Sequence, residues 1–147
     1  MDALAAQIQN KLCGTASPQV IMGLQVDGRL IPSPTPPAID IYPGDPFQEP
    51  FGFGPGNHRY WFTVRARVSM ADNEGGQDLL LSMMDPQAAT SVEQAILSDA
   101  TLGGVAQLKE VDGPTAFGIF DDPGPQPERL LGCVWRVGVV LPCESCG

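Results

Sequence analysis

The one cysteine motif in this 147-residue chain is Cys143-Glu144-Ser145-Cys146. Two thiolates at that spacing supply half of a tetrahedral zinc site, or a redox pair. Zinc needs two further ligands, and Cys13, Cys133 and His58 are not paired with one another at metal-binding spacing. A redox pair is normally seated at a helix start, whose dipole lowers the thiol pKa. The tail after Pro142 is not expected to form such a helix. Incidental thiols, a disulfide or intersubunit link, and a zinc or thiol-redox role stay open as alternatives, in that order. His58 is the sole histidine, so any serine–histidine–acid triad would depend on it, yet no G-x-S-x-G frames a nucleophilic serine. Between Asn57 and Arg59 it reads as a surface loop residue. Asp121-Asp122, with Asp40, Asp45 and Glu49 placed in loops, could bind a hard cation, but the D-x-D-x-D-G ladder is missing, and solvated loops are the plainer reading. Leu102-Gly103-Gly104-Val105 lacks the G-K-[ST] of a phosphate loop. Its glycines are expected to end a helix and turn the backbone into a strand. No catalytic residue, metal or cofactor is expected from these patterns.

The elements that position these residues follow from periodicity. The organising stretch runs from Asp78 to Val111. Leu79, Leu80, Met83 and Met84 share one helical face, and Asp85-Pro86 ends that helix, because the residue before a proline is pushed out of the helical region. Ser91 is placed to cap a second helix, with Glu93 in its positive first turn and Val92, Ala95 and Ile96 on one face. Val105, Leu108 and Val111 then lead into an extended segment. Asp2–Leu12 predicts an N-terminal helix, with Leu4, Ile8 and Leu12 at i, i+4 and i+8. Val20–Val26 reads as a short extended run, Asp27-Gly28 as a tight turn, and Pro32–Pro37 as a stiff connector. Ala38–Tyr42 alternates as a strand. Pro43–His58 then reads as a long loop rich in proline and glycine. Its Phe47, Phe51 and Phe53 either fold back on the core or form an arm that packs on a neighbouring subunit.

Arg59–Met70 is the strongest strand pattern. Tyr60, Phe62, Val64, Ala66 and Val68 point one way, while Trp61, Thr63, Arg65, Arg67 and Ser69 point the other. Arg65 and Arg67 therefore share a face. They form either a solvated outer face with local ion pairs or a basic stripe that meets an acidic neighbour across a subunit contact. Ala71–Gly76 reads as a turn, Asp112-Gly113-Pro114 as a break, Thr115–Phe120 as a short strand and Asp121–Glu128 as a second loop. Leu130–Leu141 reads as a mostly buried strand.

The bulk composition narrows the function classes. One domain spans residues 1–147, with a loop-rich insertion around 27–58. A chain of this length buries roughly 68–70% of its extended surface and needs no staple to fold. Net charge is −9, with only 8 lysines and arginines, which argues against general affinity for nucleic acid or for anionic membranes. There is no apolar run of 18 residues. The amphipathic N-terminus lacks the basic start and A-x-A site of a signal peptide, so the expected compartment is the cytoplasm with reduced cysteines.

From Tyr60 to Leu141 the chain reads as a strand, a helix written LLLSMM, a second helix with A-I-L-x-D, then A-T-L-G-G-V and a closing W-x-V-x-V strand. This resembles the tail terminator proteins of long-tailed phages and the related tail-completion and head–tail joining proteins, especially those of phages infecting actinobacteria. The segment most specific to the resemblance is Ser98–Val105, a structural turn that includes Asp99, Leu102, Gly103 and Gly104. The resemblance implies an α+β fold: a mixed, mainly antiparallel sheet with helices packed on one face, here with long Pro/Gly-rich loops. It further implies a virion protein that forms a homohexameric ring on the last ring of tail-tube protein at the head–tail junction. The ring would stop tube growth and present a surface to the head-completion or connector protein, with genomic DNA passing through its lumen without specific binding. A head-closure or connector protein on the portal side is the neighbouring alternative. The family contributes no catalytic residues. Phe47, Phe51, Phe53, Arg65 and Arg67 are the residues expected at subunit or tube contacts. The 27–58 insertion and the CESCG tail depart from the compact family pattern. An acidic body suits a ring that must not grip DNA, and a ring needs heterologous contacts that close by rotation.

Overall fold

A computed structural model describes residues 2–12, 24–29, 37–50, 58–69, 73–88, 90–98, 107–121 and 129–140. The element order is α1 (Asp2–Leu12), β1 (Gln25–Asp27), β2 (Ala38–Pro50), β3 (His58–Ser69), α2 (Asn73–Met84), α3 (Val92–Leu97), β4 (Gln107–Asp121) and β5 (Arg129–Val140). The strands form one sheet in the order β1-β2-β3-β5-β4. Only the β1–β2 pair is parallel, so the fold is α+β with a mixed, mainly antiparallel sheet.

The period-two pattern of β3 decides which face meets the helices. Val64, Ala66 and Val68 point into one core with Ile39 and Ile41 of β2 and Leu131, Cys133, Trp135, Val137 and Val139 of β5. Leu4, Ile8 and Leu12 of α1, Leu80 and Met83 of α2, and Val92, Ala95 and Ile96 of α3 cover it from one side. At the start of α3 the Ser91 hydroxyl accepts the Gln94 backbone N–H at 3.2 Å, which satisfies one of the donors a helix start leaves open. The Gln7 side-chain amide donates to the Ala95 and Ile96 carbonyls and ties α1 to the last turn of this short helix.

Three expectations change. β2 continues through Pro43 to Pro50, where a loop is expected, with a register irregularity between Pro43 and Gln48. Prolines are tolerated because β1 pairs only with Ala38–Asp40, so the rest of β2 has no described neighbour on that side to which it must donate. Asp40, Asp45 and Glu49 consequently lie in a strand and not in loops. At the expected Asp27-Gly28 turn the chain bends directly after β1, and β1 and β2 run parallel. Helix α2 starts at Asn73, inside the expected Ala71–Gly76 turn. A methyl group on Gly76 would lie within contact distance of the Ser69 carbonyl oxygen, so glycine lets the helix start pack directly on the end of β3. Finally, Asp112-Gly113-Pro114 does not divide β4. The chain stays paired with β5 and absorbs the turn residues as register shifts, with a cis Gly113–Pro114 bond and positive φ at Gly113 (117°) and Ala116 (55°).

Among the described residues no helix is long and apolar enough to cross a membrane.

Replacing Gly76 with alanine should destabilise the fold. The gain in helix propensity is at most ~1 kcal/mol. Forcing a methyl group against a backbone carbonyl costs about 1–3 kcal/mol. A fall in the chemical-denaturation midpoint with an unchanged slope is the expected result.

The arginine-lined sheet face as candidate functional site

The face of the sheet turned away from the helices concentrates the basic residues. Alternation along β3 places Arg59, Trp61, Thr63, Arg65 and Arg67 there, and pairing with β5 brings Arg136 opposite Thr63. Four arginines thus share one face in a chain with only 8 lysines and arginines.

Two of them are engaged by one acid. Asp40 is fully buried (0%) and stands directly across from Arg65 in the β2–β3 register. Arg65 grips it as a fork, Nε to Oδ1 at 3.0 Å and Nη2 to Oδ2 at 2.6 Å. Arg67, itself only 3% exposed, adds a longer Nη2 contact to Oδ2 at 3.3 Å. Bidentate, charge-assisted bonds of this kind are about twice as strong as neutral ones. The Arg65 guanidinium also lies over the Tyr42 ring at 5.2 Å. Burial pushes the Tyr42 hydroxyl's pKa up, partly opposed by the positive charge of Arg65.

The second cluster is built on Trp61, which is 2% exposed. The Arg136 guanidinium lies 3.6 Å from the indole centroid and that of Arg59 lies 5.4 Å away. Arg59 also pairs with Glu110 of β4 at 2.7 Å. Gly138, opposite Trp61 in the register, makes room for the ring: a Cβ there would stand 3.0 Å from the indole edge.

The residues expected at contacts are therefore placed as follows. Arg65 and Arg67 share a face, as alternation requires, but their guanidiniums turn onto Asp40 of the same chain. Neither forms a simple solvated stripe. Phe47 stacks at 5.5 Å on Tyr60 and 5.9 Å on Phe62 while keeping 41% of its surface exposed. It is folded back and available at once. Phe51, Phe53, Asp99, Leu102, Gly103, Gly104, Asp122, Cys13, Cys143 and Cys146 lie outside the described residues, as does the side chain of His58. Among the described residues no three His, Cys, Asp or Glu side chains are gathered as metal ligands would be. Alternation already places Trp61 on this face, whereas Glu110 and Arg136 are members that sequence reading does not find, and Asp40 is expected in a loop. Alternation in Ala38–Tyr42 already puts Asp40 and Tyr42 on the polar side. The register against β3 is what pairs them with Arg65.

Cys133 is a free thiol at the core face of β5, and burial pushes its pKa up to about 12. Comparison of the sequence with protein-family models and with curated proteins yields no match.

Two outcomes follow from this geometry. Asp40→Ala removes the buried carboxylate that Arg65 and Arg67 share, and should cost about 3–5 kcal/mol of folding stability. Denaturant titration checks it, and a loss below about 1 kcal/mol would contradict the burial of the cluster. For Cys133 the folded pKa lies above the unfolded value of 9.0. Its contribution to stability is complete below pH 9.0 and is lost as pH rises toward 12. The difference in stability between wild type and Cys133→Val should change with pH only above that onset.

Proposed function

We propose that this chain is a structural virion protein: a tail terminator that assembles as a homohexameric ring at the head–tail junction. In this reading the ring ends tail-tube polymerisation and joins the tail-tube protein to the head connector. Genomic DNA passes through the lumen without specific binding. The protein is made in the host cytoplasm and acts in the virion, with no catalytic role.

The observation that carries the reading is the order β3-α2-α3-β4-β5, with both helices packed on one face of the sheet. It spans the segment whose LLLSMM, A-I-L-x-D, A-T-L-G-G-V and W-x-V-x-V residues resemble the terminator family. Net charge supports it as well. At −9 per copy, a ring would present an acidic body to DNA in transit. The partly exposed Phe47 offers an apolar contact of the kind subunit and tube interfaces favour.

The geometry changes how the contact residues should be probed. Reversing the charge of Arg65 or Arg67 would set a second carboxylate against the buried Asp40 and disturb the fold together with any interface. Phe47→Ser is a cleaner probe, because much of its ring is exposed. The purified chain is expected to cap tail tubes and to give a sixfold species by native mass spectrometry, free or on tubes, with no dependence on added metal. Phe47→Ser should weaken assembly while leaving the melting temperature within a few degrees. A chain that neither forms closed rings nor arrests tube growth would overturn the terminator reading. A ring of larger stoichiometry would move it to a connector on the portal side.

A further inference from the structure

We draw no further inference here: the strongest candidate, the apolar surface patch of the exposed Phe117 and Ile119 on the edge strand β4, carries no proposal because nothing in the structure shows what covers it.

Discussion

A carboxylate with no exposed surface must find its counter-charge inside the protein, because burying it uncompensated costs several kcal/mol. Asp40 finds it on the neighbouring strand, and much else follows. Arg65 stands directly across from Asp40 and Arg67 two residues along on the same side. A slip of one residue would carry Asp40 to the helix-covered face, where Val64, Ala66 and Val68 offer it nothing. The ion cluster and the apolar core therefore specify the same register from opposite faces of the sheet. Once β3 is fixed, with arginines on one side and aliphatic residues on the other, β5 can pair with it only by sending Trp135, Val137 and Val139 toward the helices and Arg136 away from them.

The two outer strands show how this sheet manages its edges. β4 is terminal, 15 residues long, and exposes Phe117 (48%) and Ile119 (54%). A long apolar edge of this kind is a template for unwanted strand pairing. Here it is irregular: Pro114, the positive φ of Ala116 and three register shifts against β5 break its flatness. On the other side, β2 runs past the short β1 with Pro43, Pro46 and Pro50, none of which carries a backbone N–H to donate. Both edges discourage strand addition.

How much of this is legible in the sequence depends on whether the governing interaction is local. The helix at Asp2–Leu12 and the one capped by Ser91 are read correctly because capping and i, i+4 spacing act within a few residues. So is the stop of α2 before Pro86. The start of α2 is not, since Gly75 and Gly76 read as a turn until the Ser69 carbonyl beneath them is known. The continuation of β2 through its prolines and of β4 through Gly113-Pro114 is hidden for a similar reason. Local propensity argues against both, and pairing with β3 and β5 overrides it. The alternation of β3 puts Arg65 and Arg67 on one face, yet nothing local says that Asp40, 25 positions away, is their partner. For the candidate site, therefore, sequence supplies the face and register supplies the chemistry.

The polar face is built with the same close contacts as the core. Trp61 could have pointed into solvent at little structural cost. Instead it is almost completely buried on the side away from the helices, with two guanidiniums over its ring. Gly44 and Gly138 both approach it where a Cβ would stand 3.0 Å from its atoms. Stacking a cation on a desolvated indole contributes on the order of 1–2 kcal/mol. That is enough to hold an arginine in one orientation, and too little to explain why the chain places most of its described arginines together. Repulsion among like charges would disperse them over an otherwise acidic surface. Register sets as many carboxylates among them, with Asp40 and Glu49 on β2 and Glu110 and Asp112 on β4, so the open face is a charge-dense surface in which one buried acid holds two arginines in register and an aromatic platform lies under two more.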